Sequence, residues 1–437
     1  MKQTNFFSKL TAVYLALMAG GLLLYPGLGG YSVITAQKSL AFLYLSGGFA
    51  VICVIGRLEL ALVGVPLGRP RLNSTQLMVL LLWLCTVLSA VFSPYPDQVW
   101  LGGNHWEGIL TLSLYYAAFL LVSNYADPKP WLLTVFAAAM GLNCLLAFVQ
   151  LTGHNPLTLY PAGTNYHDHG KLFLGRLMGT VGSITLQAAM MSLTIPMLVT
   201  AILKSKTKTR FFFLIPLAFC LILLPILNID AGLVGVIGGV LLTLPLLPEN
   251  KKTRQILAVL LVVLLAVFLL ILYLFGEHFS GFLAEAGQVL HGRWEDSFGS
   301  HRGYIWRKTL ELAPERWLLG GGPDTLGLRL QKYRELHSKR FDVTVRLTLD
   351  MAHNEYLNIL ANQGLPALLL YLGVLLTTLR GWIRHAHDDV IVAVCGSGVV
   401  GYCIQACFGI STPFTTSYLW LTLAVLTARL SRKEASP

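Results

Sequence analysis

His353 is the residue whose type and setting point most directly to chemistry, and it lies in the run MAHNEYLNILANQGLP over residues 351–366. The run predicts a short amphipathic helix that begins near His353 and is broken by Gly364 and Pro366. A phosphate group is favoured beside a helix N-terminus, because the first N–H groups are unpaired and the helix dipole is positive there. A histidine in that place can take a proton from a hydroxyl nucleophile near neutral pH. The alternative is an interfacial histidine that only caps a helix or binds lipid headgroups.

Arg302 is the second candidate, and it precedes Trp306 by four residues. The pattern predicts a helix from about Arg302 to Leu312 that places Arg302, Trp306 and Leu310 on one face. The planar fork of a guanidinium group suits the oxygens of a phosphate. From the residues alone, a surface arginine whose stem packs along Trp306 is the alternative.

A loop near the middle of the chain holds two further cations, Lys171 and Arg176, together with His154, His167 and His169. The cations could add positive charge at a diphosphate, or they could reach towards lipid phosphates. The histidines do not have the i, i+4 spacing of a helical metal site, so no metal site is predicted.

The amino-acid composition indicates whether most of the chain is surrounded by water or by lipid. The chain has 437 residues, of which 55% are hydrophobic and only 12% are charged, whereas soluble domains are about 25% charged. Most of the chain is therefore expected in lipid. The net charge of +11 would suggest nucleic acid in a soluble protein, but sorting the basic residues by loop excludes that partner.

Twelve apolar segments are long enough to be considered as transmembrane helices. They run over about 10–25, 39–56, 76–93, 108–123, 131–151, 183–203, 211–228, 232–247, 255–275, 364–380, 389–408 and 415–430. Segments 1–275 thus carry helices one to nine, residues 276–352 form one large outer loop, and residues 353–437 carry the interfacial helix and helices ten to twelve.

The distribution of Lys and Arg gives the orientation. With a cytoplasmic N-terminus, 18 of these residues fall on the inside, and three (Lys38, Lys171 and Arg176) fall in short outer loops. The remaining 11 lie in residues 276–352, and long loops cross the membrane largely regardless of charge. Both termini are therefore expected in the cytoplasm and the large loop outside.

Within the outer loop, Pro314 ends the first helix and Gly320–Pro323 predicts a turn. A second helix is expected to begin with Asp324 near its N-cap and to present an apolar stripe formed by Leu326, Leu330 and Tyr333. The sequence thus predicts an all-helical outer loop.

The string from His353 to Tyr371, after a long outer loop that contains Arg302-x-x-x-Trp306, resembles the O-antigen ligase and polymerase superfamily, most specifically over residues 183–375. The resemblance implies an all-α, GT-C-like polytopic membrane protein with about twelve transmembrane helices. It also implies a metal-independent glycosyltransferase of the cytoplasmic membrane. Such an enzyme moves a glycan from an undecaprenyl-diphosphate carrier to a glycan, lipid or protein acceptor on the outer face.

The resemblance also implies roles for particular residues. His353 acts on the acceptor hydroxyl group, and Arg302 holds the diphosphate leaving group. The substrate-binding candidates are Arg176, Lys171, Asn354 and Trp306, and no cofactor or metal is expected. The chain departs from the family pattern at Asn228–Gly232 and before Gly108, where relatives often have an arginine.

Three rival functions are separated by sequence features. A polymerase of the same superfamily needs the same donor and differs only in its acceptor. A metal-dependent glycosyltransferase generally has an acidic residue in the first outer loop, and residues 26–38 contain none. A lipid-linked glycan transporter would need polar or charged residues near the middle of several helices, and these segments have almost none.

Overall fold

A computed structural model gives the structure of residues 2–31, 33–64, 72–103, 105–159, 167–168, 171–172, 178–205, 208–330, 334–338, 343–347 and 349–435. The fold is predominantly helical. Its helices are α1 (Lys2–Ala16), α2 (Ile34–Leu62), α3 (Ser74–Val91), α4 (Ile109–Tyr125), α5 (Pro130–Leu151), α6 (Ile184–Lys204), α7 (Arg210–Leu227), α8 (Asp230–Thr243), α9 (Lys251–Phe275), α10 (Phe282–Leu290), α11 (Phe298–Leu312), α12 (Leu326–Leu330), α13 (Glu355–Gln363), α14 (Leu365–His385), α15 (Val390–Ala406) and α16 (Pro413–Ala435). A π-helical turn, Leu17–Leu22, continues α1.

Every apolar segment predicted from the sequence coincides with one of these helices. Within the described residues, seven helical spans are long and apolar enough to cross a membrane: Ile34–Leu62, Ser74–Val91, Pro130–Leu151, Ile184–Lys204, Arg210–Leu227, Lys251–His278 and Leu365–His385. Four apolar helices are shorter, namely Phe6–Leu22, Ile109–Tyr125, Asp230–Leu246 and Val390–Ala406. A multi-pass membrane protein is thereby supported, and the total of twelve spanning helices stays a prediction.

The helix boundaries follow from local chemistry. Asn73 accepts a hydrogen bond from the backbone N–H of Gln76, whose side chain returns one to Asn73, and this capping box starts α3. Pro130 occupies the first turn of α5, where its missing N–H costs no hydrogen bond. Such signals explain why the predicted and observed boundaries of α3 and α5 agree within two residues.

Helices α6, α8 and α15 pack closely through small residues. A Cβ atom on Gly235 would lie 2.8 Å from the Ser192 Cβ and from the Gly401 carbonyl oxygen. One on Gly239 would lie 2.7 Å from the Pro196 Cγ. The glycines of α8 therefore serve close helix contact, as small residues do in membrane bundles.

Helix α9 differs from the rest of the bundle because its apolar side chains are exposed along almost the whole length; only 6% of its most apolar window is buried. In water such a surface would be unfavourable. A helix that is apolar all round is expected to face lipid. Helix α9 leads directly into the outer segment 276–352.

Lys38 was assigned to a short outer loop from the sequence, but the structure places it inside α2 with only 1% of its surface exposed. Its Nζ donates to the carbonyl oxygens of Leu22 (2.7 Å) and Leu23 (3.0 Å) and lies 4.5 Å from the centre of the Phe414 ring. Lys38 thus satisfies carbonyl groups at the end of the first helix, which would otherwise lack partners.

The outer segment contains β structure as well as helix, so the expectation of an all-helical loop is wrong. Helix α11 ends at Leu312, as predicted. Helix α12 is short and covers only Leu326–Leu330. Strands β3 (Arg334–Ser338) and β4 (Val343–Leu347) then pair antiparallel. The alternating Val-Thr-Val sequence of β4 is rich in β-branched residues, which favour a strand. Earlier in the chain, between α5 and α6, the two-residue strands β1 (His167–Asp168) and β2 (Lys171–Leu172) also pair antiparallel.

Candidate active site

The site is organised around α13, whose start and end are each determined by one residue. Asn354 is the N-cap, and its side-chain oxygen accepts a hydrogen bond from the backbone N–H of Leu357 at 3.0 Å. The helix ends at Gly364, whose φ is +87° and whose Cβ, if present, would lie 2.2 Å from the Leu318 carbonyl oxygen. Only glycine fits this turn. The predicted helix is therefore confirmed, and His353 lies immediately before its N-cap.

The first turn of α13 is bonded to the membrane helices. Glu355 is buried and accepts hydrogen bonds from the hydroxyl groups of Tyr371 on α14 and Tyr402 on α15. Tyr356 donates to the carbonyl oxygen of Cys403 at 2.9 Å. The N-terminal end of α13, beside His353, is thus fixed to two helices of the bundle.

The glycine-rich turn after α11 holds the other end of α13. The N–H groups of Gly321 and Gly322 donate to the carbonyl oxygens of Ala361 (2.9 Å) and Asn362 (2.8 Å). A Cβ on Gly320 would lie 2.4 Å from the backbone of Asn362. Arg329 Nη1 also donates to the Ala361 carbonyl oxygen at 2.7 Å. These bonds satisfy the C-terminal carbonyl groups of α13.

A histidine and an acid form a pair in the loops near the start of α13. His105, from the loop before α4, places its Nε2 3.1 Å from Asp350 Oδ2. Burial alone would lower the pKa of His105, but its bond to Asp350 and the charges of Asp350 and Asp324 raise it overall. Burial alone would raise the pKa of Asp350, yet His105 and the charge of His353 hold it below the usual range. The opposing shifts indicate an ion pair between His105 and Asp350, and the charge of His353 also acts on the Asp350 carboxylate.

Two more carboxyl groups approach this cluster from the loop before α4 and from the glycine-rich turn. The backbone N–H of Gly103 donates to Asp324 Oδ2 at 2.6 Å. Burial raises the pKa of Asp324, against the favourable effects of His105 and of the surrounding backbone N–H groups. Gly102 has a φ of +88°, and a Cβ on it would lie 2.6 Å from the same carboxylate oxygen. This glycine therefore lets the loop wrap around Asp324.

Glu107 lies in the same loop and is only 8% exposed. Its carboxyl oxygens accept hydrogen bonds from the hydroxyl groups of Tyr115 and Ser411. Burial raises the pKa of Glu107 to about 8, and the negative charge of Glu355 acts in the same direction. The carboxyl group is therefore largely protonated at neutral pH.

The raised pKa of Glu107 predicts a pH-dependent stability. Between about 4.5 and about 8 the folded chain holds a proton that the unfolded chain has released, so stability falls as the pH rises, by up to about 1.4 kcal/mol per pH unit. We expect the Tm of wild type in nanodiscs to fall across this window and that of Glu107→Gln to fall less. Glu249→Gln, at an exposed position, is the matched control. Parallel Tm curves for wild type and Glu107→Gln would contradict the assignment.

Helix α11 carries Arg302 and Trp306, as predicted. Residues Gly299–His301 are left-handed, and Arg302 Nη1 donates to the Gly299 carbonyl oxygen at 2.7 Å. Trp306 lies between Trp294 and Phe408, with each pair of ring centres 6.0 Å apart. Trp306 therefore has a packing role between the outer segment and the loop after α15.

A small apolar core joins α11 to α13. It consists of Ile305, Leu326, Leu330, Leu349, Ala352 and Ala361, with Tyr304, Leu312 and Leu357 packed against it. Arg302 is one helical turn before Ile305, and His353 follows Ala352. The structure thus brings the two predicted catalytic residues to the borders of one core, although they are 51 positions apart in the sequence.

The sequence also predicts substrate binding by Lys171, Arg176 and Asn354. Lys171 is in strand β2, and Arg176 lies outside the described residues, so their substrate-binding roles stay predictions. Asn354 is engaged as a helix cap. Among the described residues, no three His, Cys, Asp or Glu side chains are grouped so that they could hold a metal ion.

Sequence reasoning did not single out Asp350, Glu355 or Glu107 as members of the site. Asp350 and Glu355 flank His353 by three and two residues, which was a usable signal. The position of Glu107 depends on contacts with Ser411, 304 residues away, and no local pattern indicates it.

Comparison with known proteins gives one family. A family model described as O-Antigen ligase matches residues 215–372. The search of curated proteins gives no match. The matched segment contains α11, the glycine-rich turn, all of α13 and the start of α14, together with Arg302, Asp350, His353 and Glu355.

Proposed function

Because a family model described as O-Antigen ligase matches residues 215–372, we propose that the chain belongs to the O-antigen ligase superfamily and is a membrane glycosyltransferase. In this proposal a glycan moves from an undecaprenyl-diphosphate carrier to an acceptor hydroxyl group on the outer face of the cytoplasmic membrane. Both termini are cytoplasmic, and the outer segment 276–352 with α13 forms the reaction site. The observation that carries the proposal is the position of His353 at the start of α13, beside Asp350, within the matched segment.

The chemistry assigns a step to each of these groups. His353 takes the proton from the acceptor hydroxyl group as its oxygen attacks the anomeric carbon of the donor. The bond between that carbon and the diphosphate oxygen breaks, and undecaprenyl diphosphate leaves with the bonding electrons. Asp350 faces the imidazolium ion that forms and stabilises its charge.

The leaving group needs positive charge, and the chain offers Arg302 at the border of the same core. Its guanidinium group would bind the diphosphate oxygens with two parallel hydrogen bonds. Transfer of this kind needs no nucleotide, because cleavage of the diphosphate linkage drives the reaction.

The proposal is tested by glycan transfer with the purified protein in liposomes. The donor is an undecaprenyl-diphosphate oligosaccharide, and the acceptors are a lipid-linked core sugar, a second donor molecule and a hydroxyl-bearing peptide, each with and without EDTA. Transfer that survives EDTA supports a metal-independent glycosyltransferase, and the labelled acceptor distinguishes ligase from polymerase. If no acceptor is labelled while the lipid-linked glycan crosses the bilayer, the protein is a transporter and the proposal is wrong.

A further inference from the structure

Glu355 is the first residue of α13 and lies two positions after His353. Its side chain points away from the outer segment into the bundle, and only 5% of its surface is exposed. Oε1 accepts a hydrogen bond from the hydroxyl group of Tyr371 at 2.6 Å, and Oε2 accepts one from Tyr402 at 3.1 Å. Each carboxyl oxygen of Glu355 therefore accepts a hydrogen bond.

Burial of the Glu355 carboxyl group would cost free energy if the two tyrosine hydrogen bonds were absent. A buried carboxyl group without partners is strongly unfavourable, whereas a leucine at this position would pack without that cost. The two tyrosines satisfy the group, and Tyr402 is itself held by Thr416, whose Oγ1 is 3.2 Å from the tyrosine hydroxyl oxygen. Burial raises the pKa of the Glu355 carboxyl group, while the hydrogen bonds from Tyr371 and Tyr402 act to lower it, so these bonds offset part of the cost of burying the group.

Glu355 is joined to His353 through Asn354, which lies between them in the sequence and caps α13. The Asn354 carbonyl oxygen accepts a hydrogen bond from the Asn358 N–H at 2.9 Å. His353 has a φ of +48°, a left-handed conformation that costs energy for a residue other than glycine. Such a conformation persists only where neighbouring structure holds it, and the nearest anchor on the helix side is Glu355.

We propose that Glu355 is a positioning residue for glycan transfer: its two tyrosine hydrogen bonds fix the first turn of α13 to α14 and α15 and so hold His353 in place. This proposal rests on the proposed function. It assigns Tyr371 and Tyr402 the same supporting role, and it does not require Glu355 to touch the substrate.

The test compares Glu355→Ala, Glu355→Gln and Tyr371→Phe with wild type in nanodiscs. Tyr14→Phe is the matched control, because the Tyr14 hydroxyl group lies 2.8 Å from Ser46 in another part of the bundle. Two quantities are measured on folded protein: hydrogen exchange in peptides that cover residues 349–360, and kcat and KM for transfer.

We expect Glu355→Ala to speed exchange at the Leu357 and Asn358 amides and to lower kcat about 10- to 100-fold, as small misplacements of a catalytic group do. The KM for the donor should change little. Glu355→Gln keeps an acceptor for Tyr371 and should recover part of kcat, and Tyr14→Phe should match wild type in both quantities.

Wild-type exchange and kcat in Glu355→Ala would overturn the proposal, as would a loss of folded protein with normal kcat per folded molecule. Hydrogen exchange is read without any substrate. If wild type transfers no glycan, the proposed function fails, while the exchange data still decide whether Glu355 holds the start of α13.

Discussion

Replacement of His353 by alanine is expected to lower kcat for glycan transfer by about 10²- to 10⁴-fold, the range attributed to general-base catalysis. The acceptor hydroxyl group would then have to lose its proton to water, which is a weaker base than a neutral imidazole. Donor binding should persist, because the diphosphate is assigned to other groups. The rate is measured in liposomes with labelled acceptor under saturating donor.

His278→Ala is the matched control for this substitution, since His278 is exposed at the start of the outer segment. It should transfer glycan at the wild-type rate. Transfer by His353→Ala above one tenth of wild type, in protein with an unchanged Tm, would show that His353 is not the base.

Replacement of Arg302 by alanine is expected to reduce kcat/KM for the lipid-linked donor by about 10²- to 10³-fold, comparable to removal of one transition-state hydrogen-bond donor. Arg302→Lys should recover little of this loss, because an ammonium group keeps the charge but not the two parallel N–H groups of the fork. The loss should appear with every acceptor, since the leaving group is the same in each reaction.

Arg307→Ala is the control for Arg302. Arg307 is on the same helix, but it is exposed and bonded to Asp296 and Glu311, and such a surface pair contributes little to stability. Its substitution should leave kcat/KM within about twofold of wild type. Equal losses in both variants would mean that any disturbance of α11 impairs the protein and that Arg302 has no special role at the diphosphate.

Helices whose boundaries are set by neighbouring residues could be predicted from the sequence. Helix α13 begins at an asparagine cap and ends at a glycine, and α11 ends before a proline, so their boundaries could be read directly. The hairpin β3–β4 was missed, although the β-branched residues of β4 are a local signal for a strand, because a helical pattern was expected over the whole of residues 276–352. Lys38 was misplaced because its partners are carbonyl groups of the preceding helix, which no residue pattern reveals.

The candidate site was predictable only in part for a similar reason. His353 and Arg302 could be found by residue type and by resemblance to a family. The His105–Asp350 pair joins positions 245 residues apart, and the surroundings of Glu107 come from three separate loops or helices. Contacts of this range are set by tertiary packing, so a single sequence does not reveal them.

The two ends of α13 are attached to different parts of the molecule, and this has a consequence for how the protein unfolds. Its first turn is bonded to α14 and α15, and its last turn to the glycine-rich turn of the outer segment. Opening of residues 276–352 therefore breaks bonds to the last turn of α13, and release of its first turn breaks bonds to α14 and α15. We expect local fluctuations that displace His353 to be coupled to one of these two openings, and amide protection in α13 to depend on both.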